Sequence, residues 1–347
     1  MLHEGGVYPK SILCHLLIRS SGIHLFLHGT HAILDGRPTL AAMNDLFQSI
    51  SDPSAGLASN DLSWGSEIVN LPPGPVSSTG GTQSGAETEV PHLIWDICDM
   101  MDRSRPPEAP TPPRQVIENQ GLSVRAFGII REDDFQKIRG ILKANGLTVT
   151  VLIEAAFATA ILVSKKACNQ LEEDSHITFD CTMIALNKYF TPLHTGIHMI
   201  SALSYVPVIA EYKNLLAHSS PVDALFDIMN QLKAQYRKWV ESPRLPHLSY
   251  QWILPERSNP NSMVMSNIGI VEDFLPLKYP AISDKPVVEL LDMFVGHRPA
   301  NFLHPIFHSW TFKGDLHLQI SGSDIWNKAD HQSLINNAIF LCNALCT

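Results

Sequence analysis

Two short apolar runs, residues 12–19 and 23–30, stand on either side of Ser20-Ser21-Gly22. The turn has Gly at the place that tolerates positive φ, so the runs predict two strands of a tight hairpin. Leu13, Leu16, Leu17, Leu25 and Leu27 occupy both parities of the strands. That pattern suits a strand covered on both faces, so the hairpin reads as an interior piece of a sheet. Its exit carries His28, Gly29, Thr30, His31, Ala32, Ile33, Leu34, Asp35 and Gly36. Residues 38–50 follow as a predicted helix. Leu40, Met43, Leu46, Phe47 and Ile50 share one face, and Pro38 suits the first turn. His31 therefore sits on the loop between a strand and a helix. An imidazole there can move a proton near neutral pH. Asp35 can turn inward and brace the corner, and Gly36 lets the backbone bend or a ligand come close.

Beyond this corner the composition changes. Residues 51–90 are rich in Ser, Gly, Pro and Thr and predict a loop, and 103–114 hold five prolines and read as a linker. Between them, 91–101 predict a short helix or an extended piece around Trp95. From residue 122 the pattern becomes regular. Strands are expected at 122–130, 177–186, 197–209, 262–270, 287–294, 306–312 and 316–321. Helices are expected at 131–145, 151–164, 221–240 and 328–346. The helix at 151–164 is apolar almost all round and is expected to be buried. Alternating strands and helices with meander-like pairs give an α/β class with mixed sheets. The organisation expected is 1–115, carrying the corner and the Pro/Ser/Gly-rich linker, and 116–347.

The chain has 347 residues, 45% hydrophobic and 17% charged, which suits a globular fold with a large core. The formal net charge is −9, without a basic run, so nucleic acid is not an expected partner. No segment is apolar for long enough to cross a membrane, and the first residues lack the pattern of a signal peptide. The six cysteines form no CxxC pair, and no Asn-x-Ser/Thr sequon occurs. A reduced, cytoplasmic setting without a zinc or redox motif is expected.

The residues around His31, Asp35 and Gly36 resemble the HxxxD motif, often HHxxxDG, of the chloramphenicol acetyltransferase-like superfamily. That superfamily includes CoA-dependent acyltransferases and condensation domains. Thr30 replaces the first His of the doublet. The resemblance extends along most of the chain. Thr148-Val149-Thr150 leads into a helix like the one opening the family's second subdomain. Asn187-Lys188-Tyr189-Phe190 is similar to an Asn-Leu-Arg-x-Tyr-Leu run, with Lys188 where Arg is usual. Ser266-Asn267-Ile268-Gly269 resembles the Ser-Asn-x-Gly group of alcohol acetyltransferase-like members, and fungal secondary-metabolite acetyltransferases are closest in flavour. The DFGWG motif of the plant branch is absent. Only 30 residues precede His31, whereas family members carry a substantial segment there that supplies a basic partner for the motif Asp.

The resemblance implies an α/β, chloramphenicol acetyltransferase-like two-subdomain sandwich with mixed sheets, lacking the N-terminal part of its first subdomain. It implies O-acyl transfer, with His31 as general base, from acyl-CoA (acetyl-CoA) as co-substrate to a hydroxyl of a hydrophobic small-molecule acceptor. No bound cofactor is expected. A carrier protein as acyl donor, in a condensation-like domain, is one alternative; a truncated, inactive homologue is another. By residue, Asp35 is expected to brace the corner or to form an ordinary Asp-Gly turn. Ser266, Asn267 and Gly269 are candidates for substrate binding, through donation to an oxyanion or the pantetheine arm. Equally, their polar groups can satisfy a strand end. His28 and His31 form HxxH, but a strand-like run and Gly29 do not give the helical spacing of a metal site.

Overall fold

The computed structural model describes residues 12–30, 34–52, 65, 73–82, 84–110, 123–191, 202–251, 262–280, 285–296 and 305–347. In chain order its elements are β1 (Leu13–Arg19), β2 (Gly22–His28), α1 (Gly36–Ser51), α2 (Pro75–Ser78), α3 (Ala86–Met101), β3 (Ser123–Ile130), α4 (Glu132–Ala144), α5 (Val149–Ala167), β4 (His176–Ala185), β5 (Leu203–Glu211), α6 (Tyr212–Leu216), α7 (Pro221–Val240), α8 (Leu245–Gln251), β6 (Met263–Ile270), β7 (Lys278–Tyr279), β8 (Val288–Glu289), β9 (Ile306–Phe312), β10 (Asp315–Ser323) and α9 (Lys328–Ala344). They fall into two units that interleave along the chain: 1–81, 190–202 and 270–293 in one, and 82–189, 203–269 and 294–347 in the other.

The larger unit is built on a six-stranded mixed sheet of order β3-β10-β9-β6-β4-β5. β4 and β6 run parallel, with Thr182 opposite Met265, while β4 pairs β5 antiparallel. β9 and β10 form a hairpin through Lys313 and Gly314, both at positive φ, the geometry that suits a two-residue turn between right-twisted strands. α5 supplies the centre of the core: Val151 to Leu162 are buried without interruption. Thr148 caps it by accepting from the Val151 amide, as the Thr-x-Thr start suggests. α7 likewise starts on Ser220, with Pro221 at its first position. α9 packs on β3 at Gly128, where an added Cβ would lie 2.5 Å from Ile339 Cδ1, so a larger residue would displace the isoleucines of α9. No single helix among the described residues is long and apolar enough to cross a membrane. The apolar circumference of α5 is accounted for by its burial.

In the smaller unit β1 and β2 pair antiparallel as a hairpin, from Leu13 opposite His28 to Arg19 opposite Gly22, so Gly22 belongs to the strand and Ser20-Ser21 alone make the turn. They form a two-stranded sheet of their own rather than the interior of a larger one. Leu16, Ile18 and Ile23 on one face are 61%, 71% and 66% exposed, so strand periodicity set the pairing but not the cover. α1 packs through Phe47 on Tyr279, with ring centres 5.5 Å apart, and the Tyr279 hydroxyl donates to Asn44 Oδ1 at 2.9 Å.

Several segments differ from the sequence expectation, among them the short helices α2, α6 and α8, which the periodicity did not indicate. The stretch 86–90, read as loop, is the first part of α3, which contains Pro91 in its interior. Only Val288 and Glu289 of 287–294 pair as a strand, against β7. Val287 and Leu291 are left more than 60% exposed, so alternation there has no sheet face to serve.

Candidate functional site

In the smaller unit the corner after the hairpin is organised by Asp35. It is the N-cap of α1, with extended backbone (φ −91°, ψ 161°). Its Oδ1 accepts from the Gly36 amide at 2.7 Å, and its carbonyl accepts from the Thr39 amide at 2.9 Å. The residue is 7% exposed, and its Oδ2 has no hydrogen-bond donor among the described residues. A buried carboxylate of this kind requires a nearby positive charge. Arg37 supplies one: its guanidinium stacks 5.2 Å from the centre of the Phe274 ring. Burial pulls the Arg37 pKa down, and the carboxylates of Asp273 and then Asp35 pull it back up. Gly36 is the first residue of α1 and is not among the glycines at positive φ. Leu34 N–H donates to the Thr30 carbonyl at 2.9 Å, a bond that brackets positions 31–33. His31 is one of these positions and lies outside the described residues.

In the larger unit the Ser266-Asn267-Ile268-Gly269 group ends β6. Strand alternation sends Ser266 and Asn267 to opposite faces of the sheet. Asn267 shares the face of Met265, which is the face covered by α5. Its Nδ2 donates to Thr150 Oγ1 at 2.8 Å, and its Oδ1 accepts from the Gly269 amide at 3.0 Å. Gly269 sits at φ +93°, a conformation that an L side chain resists. The Asn267 side chain thus holds the bent end of β6 against the first turn of α5. Ser266 is partly exposed on the other face, and its hydroxyl has no partner among the described residues.

Other polar groups have internal partners. Lys188 Nζ and the Tyr189 hydroxyl both donate to the Val240 carbonyl, at 3.0 and 2.6 Å, and so close the end of α7. Lys165 Nζ is paired with Glu108 at 3.0 Å and is mostly buried. A shallow recess lined by Arg103, Arg105, His176 and Thr178 opens at the start of β4. Parallel pairing of β4 and β6 puts it at the opposite end of the sheet from Ser266. Arg37 and Glu154 were not singled out by the sequence. Arg37 depends on Phe274 and Asp273, far along the chain; the signal for Glu154 is one acid within an otherwise apolar helix.

No protein-family model and no curated protein matches the chain. Solved structures do. One is a trichothecene 15-O-acetyltransferase from Fusarium sporotrichioides, with a TM-score of 0.73 at 18% identity, covering 97% of this chain and 71% of that one. Another is the epimerization domain from the third module of tyrocidine synthetase B, with a TM-score of 0.61 at 10% identity over 96% and 71%. A third is the PapA2 acyl transferase, with a TM-score of 0.54 at 12% identity over 96% and 67%. These likenesses agree with the resemblance read from the sequence: the chain has the chloramphenicol acetyltransferase-like fold shared by acyltransferases and condensation domains.

Proposed function

We propose that this chain of chloramphenicol acetyltransferase-like fold transfers an acyl group, acetyl in the simplest case, from a CoA thioester to a hydroxyl of a hydrophobic small molecule. Asp35 carries the reading. It is a buried carboxylate that caps a helix directly after a hairpin, four residues beyond His31, which is where the HxxxD pattern asks for a brace rather than an acid. In the proposed reaction the His31 imidazole takes the proton of the acceptor hydroxyl, and the oxygen attacks the thioester carbonyl carbon. A tetrahedral oxyanion forms. Its collapse breaks the C–S bond, and the departing thiolate takes the proton back from the imidazolium. No acyl-enzyme is needed. Ser266 has a hydroxyl without a partner among the described residues and is the proposed donor to substrate. Asn267 and Gly269 are proposed to position it.

The test is thiol release from acetyl-CoA in the presence of a panel of apolar alcohols, with product mass recorded. His31→Ala should lower turnover by ~10²–10⁴, the usual loss for a general base. Wild-type turnover in that variant would remove His31 from the mechanism. A second reading has support in the likeness to a peptide-synthetase epimerization domain. Turnover with acyl-pantetheine on a carrier protein but not with free acyl-CoA would favour it, and absence of both would favour an inactive homologue.

A further inference from the structure

Glu154 lies in the second turn of α5, fully buried (0% exposed), with buried residues on both sides of it in sequence. Its Oε1 accepts from the Tyr236 hydroxyl of α7 at 2.6 Å and from the Thr182 hydroxyl of β4 at 3.2 Å. Its Oε2 has no hydrogen-bond partner among the described residues. Among the described residues no charged group acts on it: besides the core itself, only the Tyr236 and Thr182 hydroxyls bear on its protonation. In the same buried core, β6 contributes Met263 and Met265, and α9 contributes Ile335, Ala338 and the Cys342 thiol, which burial pushes up to about 12. A carboxylate with two hydroxyl donors, no cation and no water-facing edge is costly in such a core, so the group keeps its proton.

The position of Glu154 gives that proton a consequence. Thr150 stands one turn earlier on α5 and so on the same face. Thr182 and Met265 are paired across β4 and β6, and Asn267 follows Met265 by two residues on the same side of the sheet. Two neighbouring rungs of α5 therefore meet the sheet: Glu154 at Thr182, and Thr150 at Asn267. We infer that Glu154 is a proton-bearing positioning residue that, as the neutral acid, pins α5 to β4 and α7 and thereby holds Thr150 against Asn267 at the end of β6. The bearing on catalysis rests on the acyl-transfer reading above; the proton and the latch do not.

Burial raises the Glu154 pKa to about 8, from 4.5 when free, against the smaller opposing effects of Tyr236 and then Thr182. The folded chain therefore holds a proton that the unfolded chain has lost. This contribution to stability is complete below pH 4.5 and is lost as pH rises to about 8, by about tenfold in the folding equilibrium per pH unit.

Three measurements on the purified chain test the inference. The infrared spectrum at neutral pH should show a protonated-carboxyl C=O band that Glu154→Gln removes. Glu154→Gln, which keeps an acceptor and carries no titrating proton, should gain folding stability relative to wild type as pH rises from 4.5 to 8. The Gly269 amide, accepted by Asn267, should exchange at least tenfold faster in Glu154→Asp, whose shorter arm cannot span the gap, and at the wild-type rate in Glu154→Gln. A missing band or an unchanged pH slope overturns the proton, and unchanged Gly269 exchange in Glu154→Asp overturns the latch. If all three hold while no acyl transfer is found, the acyl-transfer reading fails alone.

Discussion

Asn267 and Thr150 are joined by a hydrogen bond of 2.8 Å between the Nδ2 of one and the Oγ1 of the other, across a strand end and a helix start. Asn267 also accepts from the Gly269 amide at 3.0 Å, so one side chain ties the bent strand end to the helix start. Removing a partly buried hydrogen-bond partner costs about 1 kcal/mol, more if the other group stays unsatisfied. Thr150→Val and Asn267→Ala should each destabilise by about 1–2 kcal/mol in denaturant unfolding. The double variant should fall short of the sum by about 0.5 kcal/mol or more, because the two act as a pair. Strict additivity would show that the contact contributes nothing in solution.

Gly269 gives an independent check of the same corner. At φ +93° an added Cβ costs roughly 1–2 kcal/mol, so Gly269→Ala should lower stability by about that amount. If Ser266 and the strand end serve the substrate, the same variant should raise KM for the acceptor while leaving His31-dependent proton transfer in place. A neutral effect on both stability and KM would exclude a functional bend.

The periodic helices were legible because their causes are local. Thr148, Ser220 with Pro221, and Asp35 each precede an apolar repeat and satisfy amides within their own first turns. The β1–β2 hairpin followed from two short apolar runs on either side of a turn, although its turn is one residue shorter than the sequence suggested. The start of α3 was hidden by Ser/Gly-rich surroundings and by Pro91, whose lack of an N–H argues against a helix interior. Burial was less legible than pairing. Leu16 and Ile18 have core character, yet nothing in their own segment says whether another layer covers them. The same limit applies at the site. Asp35 as a helix cap is a local event, whereas the Arg37–Phe274 stack depends on residues far apart in sequence. Glu154 gave no periodic signal because one acid does not disturb an Ala-rich apolar pattern.

The Asp35 cap and the Asp35 charge can be separated. Asn caps a helix about as well as Asp, whereas Ala forfeits 0.5–2 kcal/mol, by the usual range. Asp35→Asn should therefore keep most of the α1 cap while removing the negative charge beside Arg37, and Asp35→Ala should lose both. We expect Asp35→Ala to be less stable than Asp35→Asn by about 1 kcal/mol. Arg37→Gln should partly relieve Asp35→Asn, since each removes the other's counter-charge. Equal stability of the Asn and Ala variants would mean that the 2.7 Å bond to the Gly36 amide does not support the helix.

His331 provides a pH dependence of opposite sign to that of Glu154. It is 2% exposed near the start of α9, tilted against Trp326 with ring centres 5.2 Å apart. Neither ring nitrogen has a hydrogen-bond partner among the described residues. Burial lowers its pKa from 6.5 to about 4. The unfolded chain therefore takes up a proton below pH 6.5 that the folded chain refuses until about pH 4. Stability from this group is complete above pH 6.5, falls as the solution is acidified, and levels off below about pH 4. The full loss is about 3 kcal/mol, at ~1.4 kcal/mol per pH unit. Between pH 4.5 and 6.5 the contributions of His331 and Glu154 run in opposite directions and nearly cancel, so their joint effect on the wild-type profile is small there. Each variant should unmask the other group: His331→Gln should become more stable relative to wild type as pH falls from 6.5 to 4.5. Glu154→Gln should become more stable relative to wild type as pH rises from 4.5 to 8. Denaturant midpoints measured in half-unit pH steps on wild type, both single variants and the double variant give the difference curves directly. A His331→Gln curve parallel to wild type over that range would show that the imidazole is hydrated and titrates normally, and would remove the buried neutral histidine from the account of α9.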